Sequence, residues 1–442
     1  MKFSLKKGAV LAAMTATLAS VATSTLAQDA TAASVAKETA YIFNTLLFLI
    51  GGFLVMFMAA GFAMLEAGLV RSKNVSMQCL KNISLYSVAG IMYWLLGYNL
   101  MYTGVDGGFM GSVSFNYLFD AVGSGADGSY STASDWFFQM AFVAATASIV
   151  SGTIAERVKF WPFIIFTIIL TGVMYPISGS WKWGAGFLDA AGFNDFAGST
   201  IVHSVGGWAA LTGAIILGAR KGKYGEDGRV VPMVGSNIPL ATLGTFILWL
   251  GWFGFNGASQ LAMGTIGDVS DVSRIFANTN LAAAGGVVAS LVIMQFMYGK
   301  LDVTIALNGA LAGLVSITAE PLAPSPFMAV LIGGVGGAIV VFTVPLLDKL
   351  KIDDVVGAIP VHLFAGIWGT LAVVLTNESA TIGAQLYGIV AYGVFTVVFS
   401  AIVWYALKLT IGIRVSEEEE ASGLDRSEVG VEAYPEFAFG RG

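Results

Sequence analysis

Residues 195–207 read DFAGSTIVHSVGG, and they place a histidine, His203, in a stretch that is otherwise typical of a membrane helix. The chain has only one other histidine, His362, and it also lies in an apolar stretch. An ionisable side chain inside a bilayer is costly and tends to mark a transport or proton path. One such histidine is as often a satisfied structural group as a functional one. Two of them, with no others in the chain, favour a function.

The composition predicts an all-α polytopic membrane protein. Hydrophobic residues make up 56% of the chain and charged residues 11%, whereas a soluble domain carries about 25% charged residues. The formal net charge of −6 and the lack of a basic block argue against a nucleic-acid partner. A single cysteine, Cys79, excludes an intramolecular disulfide and a Cys-rich metal site. The sequence contains no motif for a metal or a cofactor.

Apolar runs of about 20 residues, long enough to cross a bilayer, predict eleven transmembrane helices. They lie at roughly 43–66, 82–103, 136–155, 160–180, 198–219, 238–259, 279–298, 303–319, 326–346, 357–376 and 384–408. The run at 303–319 is the shortest. The transmembrane domain is therefore expected to occupy residues 28–408, followed by a polar tail at 409–442. The tail is either solvated and disordered or docked against the loops.

Residues 1–27 are typical of a secretory signal peptide. Lysines at positions 2, 6 and 7 precede an apolar run, and small residues follow near Ala27. The alternative is an uncleaved first helix. Most lysines and arginines beyond this segment fall in alternate loops, for example at Arg71, Arg157 and Arg220. Positive residues favour the cytoplasmic side, so we expect the N-terminus outside and the C-terminus inside, in the inner (plasma) membrane.

The two histidines occupy matching positions. His203 lies about six residues into the fifth predicted helix and His362 about six residues into the tenth. At 1.5 Å per residue each is about 9 Å deep, but the two helices enter from opposite faces. Two sets of five helices with opposite topology predict an inverted repeat with a site at the repeat interface. The eleventh helix is then an addition.

Aromatic residues cluster at the predicted outer ends of three helices. The stretch 135–142 reads DWFFQMAF, 181–186 reads WKWGAG and 250–260 reads LGWFGFNGASQ. Such residues usually form an interfacial belt, but together they could form a cage for a small cation. The cage candidates are Phe138, Phe142, Trp181, Trp183, Trp252 and Phe255. The Ser259 hydroxyl could accept a hydrogen bond from an N–H cation.

Five longer motifs resemble the ammonium transporter family (Amt/Mep/Rh), on its bacterial Amt side. They are DFAGSTIVH, GTIAERVKF, GWFGFNGAS, VHLFAGIWGTLA and TIGIRVSEEEEASGLD. The resemblance covers nearly the whole chain after the signal peptide. It implies a homotrimer of eleven-helix protomers, each with its own pore, and a PII-type signal protein as a partner at the cytoplasmic face. It implies ammonium or ammonia as the substrate, with methylammonium as an analogue, and no cofactor.

The resemblance also implies roles for individual residues. The pore histidines are His203 and His362, the ammonium site is Phe142, Trp183 and Ser259, the gate is Phe142 and Phe255, and the supporting residues are Asp195, Phe138 and Gln139. Many bacterial members carry an acidic residue five positions before the second histidine, where this chain has Gly357. The resemblance therefore predicts weaker symmetry near His362, with no assigned acidic partner.

The expected activity is capture of ammonium outside, loss of its proton, conduction of ammonia and relay of the proton by the histidines. Net transfer is then electrogenic. A passive ammonia channel and an ammonium sensor that signals through the tail are the alternatives. A membrane-embedded hydrolase using Asp195 and His203 is a third alternative, but no nucleophile motif supports it. We therefore expect a protein that is not an enzyme.

Overall fold

The computed structural model describes residues 3–119 and 129–435, and most of residues 3–33 by their backbone alone. Within this part of the chain the regular structure is helical, and extended pairing is limited to two isolated bridges. The main apolar helices are α1 Phe3–Leu69, α2 Ser72–Tyr102, α3 Thr132–Thr153, α4 Phe160–Ser180, α5 Ser199–Leu217, α6 Ile238–Gln260, α7 Ile266–Tyr298, α8 Val303–Ile317, α9 Pro326–Lys349, α10 Ile359–Leu375 and α11 Ile382–Thr410.

The all-α membrane fold predicted from the composition is confirmed, and each predicted span overlaps one of these helices. Among the described residues, nine helices are long and apolar enough to cross a membrane. The other two, α8 and α10, are shorter apolar helices. The predicted signal peptide lies at the start of α1, where the backbone is helical from Phe3 onward, and its cleavage stays a prediction. Asp135, one residue before the predicted span 136–155, lies in the first turn of α3.

The first ten helices form two sets of five that run in opposite directions. We call the end that carries residues 181–198 the vestibule end, and the end that carries residues 411–435 the tail end. Helix α1 runs from the vestibule end to the tail end, and α6, the first helix of the second set, runs the other way and packs along it. Helices α5 and α10, the last of each set, also contact each other.

Glycines allow close contact between helix backbones, as is common in membrane bundles. In α7 and α9, a Cβ added at Gly333 would lie 2.0 Å from the Ala282 carbonyl oxygen, and one added at Gly337 would lie 2.1 Å from that of Gly286. The adjacent Gly334 has more room, because the nearest atoms lie 3.7 Å from its added Cβ. Backbone atoms cannot move aside as a flexible side chain can. The contact between α7 and α9 therefore requires glycine at positions 333 and 337 of α9.

This packing predicts different effects for two neighbouring substitutions in α9. Gly333→Ala should destabilise the protein by about 1–3 kcal/mol, the usual cost of overpacking. Gly334→Ala is the matched control and should change stability little. Thermal unfolding in detergent measures both, and equal melting temperatures for the two variants would contradict the close backbone contact.

Buried ion pairs hold the helices together at the tail end. The Glu156 carboxylate accepts hydrogen bonds from Arg71 and Arg220, and Arg220 also binds both carboxylate oxygens of Asp353 at 2.8 Å. Burial raises the pKa of Asp353, but the hydrogen bonds and charges of Arg220 and Arg157 outweigh it and hold this pKa well below its usual range. These contacts join the end of α3, the end of α5 and the segment before α10.

The tail is docked as far as it is described. Its short helix α12, Glu417–Ser422, begins with a capping box at Ser416. Glu420 accepts hydrogen bonds from Arg414 and from the Lys221 backbone at 2.7 Å, and Asp425 accepts one from the Met77 backbone. Residues 436–442, which include the last aromatic residues of the tail, lie outside the described residues. Of the two interpretations of the tail, docking is the one that the structure supports.

Candidate functional site

The two histidines contact each other in the middle of the bundle. Their Nδ1 atoms lie 3.1 Å apart, and their ring centroids lie 5.2 Å apart with the planes 20° from parallel. Each ring sits in a π-helical turn, Ser199–Ser204 or Ile359–Phe364, a feature often found at functional sites. A hydrogen bond between two ring nitrogens requires one of them to carry a proton and the other to accept it.

A buried carboxylate organises the start of α5. Asp195, eight residues before His203, accepts hydrogen bonds at 2.8–3.1 Å from four successive backbone N–H groups. The donors are Gly198, Ser199, Thr200 and Ile201. These are the groups that a helix start leaves without partners. Gly198 has a φ of +109°, which glycine adopts without strain, and it turns the chain into the helix.

The start of α10 repeats this arrangement from the opposite end. Asp354, eight residues before His362, accepts hydrogen bonds from the backbone of Gly357 at 3.2 Å and of Ile359 at 2.7 Å. Gly357 has a φ of +78° and stands five residues before its histidine, as Gly198 does. The predicted weakening of symmetry at Gly357 is therefore wrong. The repeated spacing of Asp, Gly and His is a sequence signal that could have revealed the correspondence.

Burial raises the pKa of the Asp195 carboxyl to about 6, although the four backbone N–H groups oppose this rise. Burial likewise raises the pKa of Asp354, opposed first by the N–H of Ile359. With a pKa of about 6, Asp195 is mostly ionised at neutral pH. The carboxylate is committed to the helix start through both of its oxygens, so it shapes the site rather than presenting a free oxygen to it.

An aromatic stack closes the path above the histidines. The rings of Phe142 and Phe255 lie 4.0 Å apart and 33° from parallel. Phe138 packs edge-on against Phe142 at 4.8 Å, and Phe255 stacks on His203 at 5.2 Å. All four side chains are buried. The two phenylalanines therefore separate the histidine pair from the vestibule end.

A cavity of about 770 Å³, which we call the vestibule, opens above this stack. Its lining includes Phe138, Gln139, Phe142, Trp183 and Ser259. The Trp183 indole donates a hydrogen bond to the Asp195 carbonyl at 3.0 Å, which fixes its ring edge-on to Phe142. The Ser259 hydroxyl donates to the Phe255 carbonyl at 2.7 Å. The lone pairs of its oxygen remain available to accept from a ligand.

Three of the six cage candidates do not line the vestibule. Phe255 lies in the aromatic stack below it, and two tryptophans lie elsewhere. Trp181 is buried beside the vestibule loops and donates its indole N–H to the Phe109 carbonyl. Trp252 stacks on His203 at 4.9 Å and donates to the Thr318 hydroxyl. It therefore packs against the histidine below the aromatic stack instead of standing at the mouth. The positions of Trp181 and Trp252 are set by contacts with segments that are distant in the chain. No local sequence pattern distinguishes them from Trp183.

The structure adds residues that sequence reasoning missed. Tyr98, Tyr102 and Asp135 also line the vestibule, and the Tyr98 hydroxyl donates to the Asp135 carboxylate. The spacing of Asp135 and Gln139, one helical turn apart, could have indicated a shared face.

A second cavity, of about 280 Å³, opens at the tail end and is lined in part by Asn308 and Val356. Within the described residues, no group of three or more His, Cys, Asp or Glu could hold a metal ion.

The capping geometry predicts that Asp195→Asn destabilises the protein. An amide has one acceptor oxygen instead of two, so some of the four N–H groups lose their partner, at about 1–3 kcal/mol for each unsatisfied group. Asp189→Asn in the same loop is the control, because Asp189 makes only a partly exposed ion pair with Lys182, and such pairs contribute little. Thermal unfolding compares the two. A melting temperature for Asp195→Asn equal to that of the control would contradict the capping role.

Comparison with known proteins finds sequence similarity to one family of membrane proteins. The model of the Ammonium Transporter Family matches residues 46–434. Ammonium transporter Amt2 of Archaeoglobus fulgidus is 41% identical over 421 residues, which cover 88% of this chain and 87% of the relative. A putative ammonium transporter, sll1017 of Synechocystis sp., is 41% identical over 424 residues, covering 94% of each chain.

Solved structures agree with the sequence relatives. A structure titled Sensor Amt Protein superposes with a TM-score of 0.82 at 34% identity, covering 87% of this chain and 98% of the other. The crystal structure of Candida albicans Mep2 gives a TM-score of 0.78 at 26% identity, covering 87% and 88%. With a family match over most of its length and relatives at this identity, the chain belongs to the ammonium transporter family.

Proposed function

We propose that the protein carries ammonium across the membrane by separating it into ammonia and a proton. The observation that carries the proposal is the hydrogen bond between two buried imidazoles directly below a closed aromatic stack. In this proposal the vestibule end faces the outside of the inner membrane and the tail end faces the cytoplasm, as the distribution of positive residues favours. Ammonium enters the vestibule, and ammonia leaves at the tail end.

The vestibule supports capture of a small N–H cation. The rings of Phe142 and Trp183 line it, and a cation–π contact is worth about 0.5–2 kcal/mol. The Ser259 oxygen supplies an acceptor for one N–H. Potassium has a similar size and the same charge as ammonium but no proton to donate, so the serine favours ammonium. The contribution is modest, and the main selection must come later in the path.

The aromatic stack supports selection by charge. A bare ion that enters a low-dielectric path loses its hydration at a cost of many kcal/mol. The buried rings of Phe142 and Phe255 offer no polar replacement for that water. Ammonium can leave its proton behind and continue as neutral ammonia, whereas potassium cannot lose its charge. The aromatic stack therefore excludes potassium, against which the vestibule contacts discriminate only weakly.

The histidine pair supports a proton relay. Each ring uses Nδ1 for the contact between them, and the Nε2 atom of His203 is buried without a hydrogen-bond partner. A proton that arrives at the Nε2 atom of His203 can shift the shared proton to His362, which releases its own from Nε2. One proton enters and one leaves, and each ring is then in its other tautomer, so the pair must be reset before it can pass the next proton. Because one proton crosses with each ammonia molecule, each transfer moves one positive charge and is electrogenic.

Two alternatives remain distinct from this proposal. A passive ammonia channel would leave the proton outside, and its histidines would only orient ammonia. A sensor would bind ammonium and signal through the tail, and one similar solved structure is titled Sensor Amt Protein. The curated relatives quoted above are named as transporters, which favours transport. It also favours a protein that is not an enzyme.

The family resemblance supports further proposals about processing and assembly. They are cleavage after the signal peptide at residues 1–27, a homotrimer in lipid, methylammonium as a substrate analogue and a PII-type partner at the docked tail. Exposed apolar side chains on α1, among them Phe53 and Phe57, suit contact with either lipid or a neighbouring protomer. The tail contacts at Lys221 and Glu420 would place such a partner beside the tail-end cavity.

Currents on a solid-supported membrane test the proposed function. Purified protein in liposomes should give a current after an ammonium pulse and none after a potassium pulse. The variant His203→Ala/His362→Ala should lose at least about nine-tenths of the ammonium current or admit potassium. Cys79→Ser, a substitution away from the pore residues, controls for handling. An unchanged, ammonium-selective current in the folded double variant would show the relay to be wrong.

A further inference from the structure

A second small cavity lies beside His362 on its tail-end side. Its volume is about 10 Å³, close to the space that one water molecule needs. Its lining includes Phe62, Glu66, Leu311, Val356 and His362. The Phe62 ring lies 6.3 Å from the His362 ring, and Glu66 follows one turn further along α1 toward the tail end. A fully buried glutamate therefore shares a water-sized space with the second histidine.

The two carboxylate oxygens of Glu66 differ in their surroundings. Oε2 accepts hydrogen bonds from Gln78 at 2.5 Å, Ser151 at 2.8 Å and Asn82 at 3.0 Å. Oε1 has no hydrogen-bond partner, although the residue is only 1% exposed. A buried polar atom without a partner is costly and calls for an explanation. The three donors hold the carboxylate in place and leave one oxygen free.

A buried cation balances the charge of Glu66 without occupying the free oxygen. The Lys81 ammonium donates to the Ser151 carbonyl at 2.8 Å and lies 4.8 Å from the centre of the Phe163 ring. Its charge interacts with those of Glu66 and Arg157. A structural role that links α1 to α2 and α3 through Gln78, Asn82 and Ser151 accounts for the bound oxygen. It does not account for a free carboxylate oxygen at the cavity beside His362.

We propose that Glu66 is the first proton acceptor on the tail-end side of the histidine pair. The inference rests on the proposed function, because only a relay delivers a proton to His362. Its Nδ1 is engaged with His203, so the proton leaves from Nε2. The Nε2–H bond breaks as a bridging water takes that proton, and the same water gives one of its own protons to Oε1. The carboxylate becomes a carboxylic acid, and it later returns the proton to water from the tail-end cavity.

Ammonia can leave the small cavity toward the tail end in this arrangement. Asn308 and Val356 line both the small cavity and the tail-end cavity, so they mark the connection between them. The positive charge of Lys81 disfavours ammonium forming again beside the histidines, since like charges repel. The proton is held on Glu66 while ammonia continues as a neutral molecule, and both then reach the tail-end cavity.

The test compares Glu66→Gln with Glu66→Gln/Lys81→Met in the ammonium-current measurement at several pH values. The single variant leaves the Lys81 ammonium without its counter-charge, which can destabilise the fold, and the double variant removes both charges. We expect both folded variants to lose at least about nine-tenths of the current and to change its pH profile. Glu66→Asp should recover part of the current. Glu378→Gln, at an exposed glutamate, is the matched control and should carry the wild-type current.

The outcomes separate this inference from the proposed function. A folded Glu66→Gln/Lys81→Met variant with wild-type current and pH profile would show that Glu66 is only structural, while the histidine variants still test the relay. A wild-type protein that moves ammonia without current would overturn the relay and the role of Glu66 together. Loss of current in the Glu66 variants with a retained melting temperature supports the acceptor role.

Discussion

The capping of two opposed helix starts by buried carboxylates is the interaction on which the rest of the structure depends. Asp195 and Asp354 each stand eight residues before a histidine and bind the N–H groups of the turn between them. Because α5 and α10 enter from opposite ends, two equal spacings bring His203 and His362 together. The aromatic stack, the vestibule and the small cavity are all arranged around that contact.

The site combines groups that hold charge at its ends with groups that exclude charge at its centre. Paired carboxylates and arginines lie at the tail end, and a carboxylate that caps a helix start lies near the vestibule. Between them, phenylalanine rings and two hydrogen-bonded imidazoles line the path. An ion that must stay charged meets a large desolvation cost there. A cation that can lose a proton can avoid most of that cost, which is why this arrangement suits ammonium.

Much of this could be predicted from the sequence, since lipid imposes strong constraints on composition and helix length. The membrane class, the position of each helix and the meeting of the two histidines follow from them. The correspondence of Gly357 with Gly198 was missed because it depends on backbone conformation, a positive φ at both positions. Trp252 was misplaced and Glu66 was overlooked because their surroundings are built by helices far apart in the chain.

The ratio of charge to nitrogen moved tests the central claim most directly. Liposomes that contain the purified protein would be given an ammonium gradient, and current and accumulated nitrogen would be measured in the same preparation. The account predicts one elementary charge for each nitrogen, since the proton that leaves ammonium crosses by the histidine pair. Nitrogen uptake with no accompanying charge would contradict it, because ammonia would then cross while its proton remained outside.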